Sequence, residues 1–156
     1  MKLPLVGLAA LVSLWGFANP LLAKDELWQC DIVDGKEGTW IPQVVVFAFL
    51  DDGQTTLVAD SVIMHFEKEP AVVSVKDRGR KLQMHWKING ARDSWGKPVA
   101  RFGYTANYNK ETRKIWIAAK PGGMPQAFSG KGTCATLKNT KSVEQVFKEA
   151  ARIKQK

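Results

Sequence analysis

The sequence predicts an all-β protein in which about eight antiparallel strands form a single small barrel, followed by one C-terminal amphipathic α-helix. Short segments that alternate apolar and polar residues recur along the chain, and turn-forming residues separate them. The two cysteines, Cys30 and Cys134, lie in the first and last of these segments. Helical spacing of apolar residues begins after Lys138. Because the strands follow one another through turns, an up-and-down barrel is favoured over a sandwich variant.

The N-terminus has the features of a secretory signal. Lys2 precedes an apolar run from Leu3 to Phe17, and Ala23 is a small residue suited to cleavage. The run is shorter than the roughly 20 residues that span a bilayer, so we expect export to the periplasm or the exterior rather than anchoring. We therefore assign residues 1–23 to the signal, 24–138 to the barrel and 139–156 to the helix.

Export bears directly on the cysteines, because two lone thiols usually pair in an oxidising compartment. Trp28, Cys30 and Ile32 share one face of the first predicted strand, which places the cysteine inward beside a tryptophan. We expect a Cys30–Cys134 disulfide that joins the first strand to the last, with Cα atoms about 4.4 to 6.8 Å apart.

The first half of the chain predicts a series of short strands. Gln43 to Leu50 is apolar and rich in valine and phenylalanine, which is typical of a strand covered on both faces. A turn at residues 51–54 leads to its hairpin partner, Thr55 to Ala59. Alternation from Val62 to Glu67 predicts a further strand, and Val72 to Val75 predicts a short one.

The second half contains the clearest alternation. Leu82 to Ile88 places every second residue on an apolar face, and Ala100 to Tyr108 does the same with aromatic residues. Arg113 to Ala119 forms the expected hairpin partner, and Lys131 to Leu137 closes the barrel.

The C-terminal segment predicts an amphipathic helix. Ser142 and Gln145 have the spacing of a capping box. The apolar stripe comprises Val143, Val146, Phe147, Ala150 and Ile153. Since a lone helix of this length is marginal in water, we expect it to dock on the barrel. The alternative is peripheral contact with an anionic membrane.

The sequence carries no signature of a metal centre, a cofactor site or a catalytic site. His65 and His85 each follow a methionine in a predicted strand, so methionine and histidine would point to opposite faces without a third ligand. No G-x-S-x-G elbow occurs, and Ser129 to Gly132 does not lead into a helix that could bind phosphate. We assign no catalytic residue, metal or cofactor.

Candidate ligand-binding residues are the aromatic and cationic side chains of the loops and of the predicted barrel interior. They are Trp40, Trp86, Arg92, Trp95, Lys97, Phe102 and Tyr104. Loops at the mouth of an eight-stranded barrel can cover a cavity that holds one small ligand. The alternative is that Trp40 and Trp95 plug the barrel ends as part of the core.

Charge limits the class of partner. The chain has 23 Lys and Arg against 15 Asp and Glu, a net charge of +8. For an exported protein this favours an anionic envelope component, such as lipid or acidic polysaccharide, over nucleic acid. A solvated basic surface without a specific partner is the alternative, and we expect a monomer.

The two cysteine segments, Trp28-Gln29-Cys30 and Gly130-Lys131-Gly132-Thr133-Cys134, resemble those of lipocalin-like binders and of bacterial lysozyme inhibitors. The resemblance covers these few residues and transfers no functional residue. We predict an exported, non-enzymatic binding or interaction domain, which holds a small apolar ligand or docks on an anionic envelope partner. The alternatives are a small secreted hydrolase or isomerase on the barrel scaffold, and an inhibitor of an extracytoplasmic enzyme.

Overall fold

The computed structural model describes residues 25–33, 40–50, 53–98, 101–123, 125–138 and 143–152. The expected signal at 1–23, Ser142 of the capping box and Ile153 of the apolar stripe lie outside these ranges. The described residues form the following elements: β1 Glu26–Ile32, β2 Val44–Leu50, β3 Thr55–Asp60, α1 Ser61–Phe66, β4 Ala71–Val72, β5 Ser74–Asp77, β6 Lys81–Ile88, β7 Phe102–Asn109, β8 Lys114–Pro121, β9 Phe128–Thr136 and α2 Val143–Arg152.

The strands form one antiparallel, nearly closed barrel. Their order is β4-β3-β2-β1-β9-β8-β7-β6-β5, so the first and last strands of the described residues pair with each other. The two edge strands, β4 and β5, are separated in sequence by Val73 alone, and they pair with β3 and β6 respectively. The predicted barrel is confirmed, with nine strands rather than about eight because one strand is split at Val73.

The disulfide between Cys30 and Cys134 is present and joins β1 to β9, as predicted. The two residues are directly opposite each other, and their Cα atoms are 3.9 Å apart, which is closer than the expected range. The backbone N–H of Cys134 donates to Arg113 on the other side of β9, so the cysteines form a non-hydrogen-bonded pair. In an antiparallel ladder, such pairs bring the Cα atoms closest together.

Strict alternation fills the barrel interior. The predicted inward faces of β6 and β7 are confirmed, because every second side chain of each strand is buried: Leu82, Met84, Trp86, Ile88, Phe102, Tyr104, Ala106 and Tyr108. Strand β2 is covered on both faces, as predicted. Val45 and Phe47 belong to the interior core, whereas Val46 and Ala48 belong to a second core on the outer surface.

Helix α2 forms that second core by docking on the outer surface of β2 and β3 and against α1. Val146 and Phe147 are buried there against Leu27, Val46 and Ala59. Docking is the expected fate of an amphipathic helix that is marginal alone. The membrane contact that the sequence allows through this helix would require these two side chains to leave the sheet.

The predicted strand from Val62 to Glu67 is wrong, because helix α1, Ser61–Phe66, covers this segment and Glu67 is its C-cap. The Asp60 carboxylate caps the helix by accepting hydrogen bonds from the backbone N–H groups of Val62 and Ile63, each at 2.8 Å. Val62 and Ile63 are buried in the interior core. The strand register argued for His65 is therefore wrong as well, since this exposed residue lies on a helix.

The described ranges show neither a metal-binding cluster nor a membrane-spanning helix. No group of three or more His, Cys, Asp or Glu side chains there is placed to hold a metal ion. Neither of the helices there combines the length and the apolar composition needed to cross a bilayer.

Candidate functional site

Four of the seven candidate ligand-binding residues form one aromatic cluster beside α1. Trp86 and Tyr104 are cross-strand partners whose rings stack with centroids 5.1 Å apart and planes 8° apart. Trp40 stacks on Phe102 with centroids 4.1 Å apart. The Tyr104 hydroxyl donates a hydrogen bond of 2.9 Å to the backbone carbonyl of Trp40, which ties the two pairs together.

The rings of this cluster pack directly against one another. Trp86, Phe102 and Tyr104 are buried, and Phe66 of α1 extends the cluster by stacking on Trp40. Burial raises the pKa of the Tyr104 hydroxyl, and the nearby negative charge of Asp60 raises it further. A ligand seated between these residues would have to displace rings from each other, so the cluster acts as core in this conformation.

Asp60 is a buried carboxyl group within the same part of the interior. Its Oδ1 atom caps α1, whereas its Oδ2 atom has no hydrogen-bond partner among the described residues. Desolvation raises the pKa of Asp60 to about 6, although the two backbone hydrogen bonds oppose the shift. The charged form of this carboxylate is therefore costly in the folded protein.

The other three candidates lie together on the loop that follows β6. Arg92 Nη1 donates to the carbonyl of Gly96 at 2.8 Å. Asp93 Oδ1 accepts the backbone N–H groups of Trp95 and Lys97 at 2.9 and 2.8 Å. These bonds fix the backbone of the loop while the Trp95 side chain remains 83% exposed. The structure thus separates the exposed loop tryptophan from the buried aromatic cluster.

An open groove of about 750 Å³ lies over β6, β7 and β8, and Trp86 and Tyr104 of the aromatic cluster are among the residues that line it. Lys87, Gly103 and Lys120 form a row across these three strands, because Gly103 pairs with Lys87 on one side and with Lys120 on the other. All three lie on the outward-facing positions of their strands. Since glycine has no side chain, the row leaves a depression between two lysines.

The remaining walls of the groove add another cation and an apolar surface. Arg101 lies just before β7, and its carbonyl accepts the N–H of Gly122 at 2.8 Å. Val72 is 72% exposed, an unusual position for a large apolar side chain, and it lies at the split between β4 and β5. His85 contacts Thr105, with Nδ1 and Oγ1 3.1 Å apart.

The electrostatics of the groove are positive. Among the described residues that line it, none is aspartate or glutamate. Neither the Lys87 nor the Lys120 ammonium group forms an ion pair within the described part of the chain. The groove therefore presents cations without a competing intramolecular carboxylate, which is the arrangement that an anionic ligand requires.

Sequence reasoning missed the groove because its cations are far apart in the chain. Lys87, Arg101 and Lys120 come together only when the hairpin registers of β6, β7 and β8 are known. One signal was present, since Gly103 interrupts the outward-facing polar positions of a strand where a glycine is unfavourable. A glycine at such a position often marks close approach of a ligand or of another backbone.

The chain matches no protein-family model, no curated protein and no solved structure.

Proposed function

We propose that this protein is an exported, non-enzymatic binding protein that holds an anionic amphiphile in the groove across β6, β7 and β8. The observation that carries the proposal is the Lys87–Gly103–Lys120 row, where two lysines flank a position without a side chain. The volume of about 750 Å³ falls within the range of small-molecule sites.

The cations support an anionic headgroup. A phosphate or carboxylate placed over Gly103 would lie between two ammonium groups, with Arg101 nearby in the same lining. Hydrogen bonds to ionised groups are stronger than neutral ones, and they gain further strength where the wall of a groove excludes water.

The apolar wall supports a ligand that also has a hydrocarbon part. Val72, Val73 and Pro121 line the same groove; Val73 and Pro121 are buried, whereas Val72 is 72% exposed and presents its apolar surface to solvent. Covering this surface with an acyl chain would contribute about 25 cal/mol for each Å² removed from water. A lipid or a free fatty acid combines both chemistries.

The groove is favoured over the barrel interior as the ligand site. Trp86 and Tyr104 also border the groove, but a ligand placed between the rings of Trp86, Phe102 and Tyr104 must first open the core, because these rings are buried against each other and against Trp40. The groove requires no such rearrangement.

Export is part of the proposal. The Cys30–Cys134 disulfide is consistent with an extracytoplasmic compartment, where such bonds persist. The apolar run from Leu3 to Phe17 supports the same location.

Calorimetric titration with lysophospholipids below their critical micelle concentrations tests the proposal. We expect binding of lysophosphatidylglycerol and of a free fatty acid, and much weaker binding of zwitterionic lysophosphatidylcholine. The Lys87→Gln/Lys120→Gln double variant should bind lysophosphatidylglycerol about tenfold more weakly or worse, because both flanking charges are lost. Comparing the free fatty acid with the lysophospholipid distinguishes a carboxylate from a phosphate headgroup.

Two control variants make the test specific. Lys114→Gln removes an exposed lysine of β8 that does not line the groove, and it should leave affinity unchanged. Gly103→Leu fills the depression without removing a charge, and an added Cβ would meet only ordinary contact, 3.9 Å from the Lys120 carbonyl. It should abolish binding, whereas Asn107→Leu on the same outward face should not. Equal affinity of Gly103→Leu and wild type would refute the groove as the site.

A further inference from the structure

The loop from Ala91 to Pro98 combines a fixed backbone with an exposed tryptophan. A bridge between Arg92 and Pro98 closes its base, and the backbone N–H of Asp93 donates to the Lys97 carbonyl at 2.9 Å. Gly96 has a φ of 76°, a left-handed conformation that glycine adopts without strain. The loop backbone is therefore ordered while Trp95 stays exposed, so binding a partner through this residue costs little backbone entropy.

The position of the loop links it to the groove. It begins soon after Lys87 and ends shortly before Arg101, and both of these residues line the groove. Lys120, from β8, lies in the same row as Lys87. Trp95 therefore lies at the groove end of the barrel.

The charges around this tryptophan are mostly positive. Arg92 and Lys97 flank it on the loop, and the groove adds Lys87, Arg101 and Lys120. The loop has one carboxylate, Asp93, whose Oδ1 is already occupied by two backbone N–H groups. Glu67 lies at the same end, where its Oε1 accepts the backbone N–H groups of Asn89 and Gly90.

We propose that the Ala91–Pro98 loop is a membrane anchor, which inserts Trp95 into the headgroup region of an anionic bilayer and holds the groove against the lipid. Tryptophan favours the membrane–water interface because its ring is apolar and its N–H is polar. Arginine and lysine beside it can place their stems along the ring and their charges at the phosphates. A bilayer also needs no pocket shaped to receive a single protruding ring.

The energetics favour reversible binding rather than permanent insertion. Each cation near an anionic surface contributes about fivefold in affinity at moderate salt, and one tryptophan contributes about tenfold. Because the charges act through solvent, raising the salt concentration should weaken binding. The inference rests on the proposed function for the groove cations, but the role of Trp95 is separate from ligand binding in the groove.

Co-sedimentation of the purified protein with vesicles tests the anchor. We expect binding to phosphatidylglycerol-rich vesicles, weak binding to phosphatidylcholine vesicles, and release at high salt. Trp95→Ala should reduce vesicle affinity about tenfold while leaving the calorimetric affinity for monomeric lysophosphatidylglycerol unchanged. Since the side chain is 83% exposed, the thermal midpoint should not change.

Matched control variants distinguish insertion of Trp95 from general electrostatic binding and from ligand binding in the groove. Trp116→Ala removes another partly exposed tryptophan, outside the groove lining on β8, and should bind vesicles like wild type. Lys97→Gln should weaken vesicle binding about fivefold, because its charge is lost while its backbone N–H still bonds to Asp93. Brominated lipids should quench the fluorescence of wild type more than that of Trp95→Ala.

The outcomes distinguish the two proposals. If Trp95→Ala binds vesicles as wild type does, the anchor is wrong and the exposed ring is better explained by a protein partner. If Trp95→Ala loses affinity both for vesicles and for monomeric lysophosphatidylglycerol, Trp95 belongs to the ligand site and the anchor is also wrong. If wild type binds anionic vesicles through Trp95 but binds no monomeric amphiphile, the anchor stands and the groove proposal fails.

Discussion

At the scale of single residues, Asp60 both caps helix α1 and makes the stability of the fold depend on pH. Its Oδ1 atom starts α1 through two backbone hydrogen bonds, and its Oδ2 atom is buried without a partner among the described residues. The cap stabilises the fold, whereas the buried charge destabilises it. The balance between these effects depends on protonation, because burial raises the pKa of this carboxyl group to about 6.

The sign of the pH dependence follows from that shift. The folded-state pKa of about 6 exceeds the ordinary value of 3.8, so the folded protein holds the proton more tightly than the unfolded chain does. The stabilisation is complete below the ordinary value and disappears as the pH rises through about 6. Between about pH 4 and about pH 7.5, this group alone should remove roughly 2 kcal/mol of folding free energy.

Asp60→Asn tests this account, because asparagine retains the cap and has no charge. Chemical denaturation across this pH range should show the variant gaining stability relative to wild type as the pH rises. Asp60→Ala, which loses the cap, should be about 1 kcal/mol less stable than Asp60→Asn at every pH. A constant difference between wild type and Asp60→Asn would show that the carboxyl group does not titrate as described.

At the scale of secondary structure, the two helices show what local patterns can and cannot predict. Helix α2 was predicted because its apolar spacing extends over several turns, and its docking follows from that stripe. Helix α1 was mistaken for a strand because six residues are too few to separate a period of two from a period of 3.6. The decisive group, the Asp60 cap, contributes through backbone hydrogen bonds that hydrophobic periodicity does not reveal.

Phe147→Ala should destabilise the protein by about 2 to 3 kcal/mol, because it removes a large buried side chain from the contact between α2 and the barrel. Denaturant unfolding followed by far-ultraviolet circular dichroism measures the change. Lys148→Ala is the matched control at the next position. Lys148 is exposed, and its ammonium group forms a 2.7 Å ion pair with Glu144, so its loss should change little. Similar midpoints for both variants would contradict the docked position of α2.

At the scale of the whole molecule, the barrel was predictable because every second side chain along a strand faces the interior, which gives the sequence an alternating apolar pattern. Hairpin order and the two cysteines were sufficient to place β1 beside β9. The split at Val73 was not predictable from the sequence. It arises because the residues before Val73 pair with β3 and those after it pair with β6. Such closure is a property of strand stagger rather than of any single segment.

The candidate site shows the same division between local and long-range information. Alternation correctly placed Trp86, Phe102 and Tyr104 in the interior, but it could not say whether they surround a cavity or fill it. The groove depends on Lys87, Gly103 and Lys120 meeting across three strands, and no sequence window contains all three. Register is therefore the information that sequence reasoning lacked.

The most direct test of the central claim is an NMR titration of isotope-labelled protein with monomeric lysophosphatidylglycerol. We predict that the largest amide shift changes occur at Lys87, Gly103 and Lys120, while the Trp28 indole N–H, which is buried without a hydrogen-bond partner among the described residues and does not line the groove, changes little. Lysophosphatidylcholine at the same concentration should cause much smaller changes. Changes concentrated at the Trp28 indole and at inward-facing residues outside the groove lining, or none at Gly103, would contradict the account.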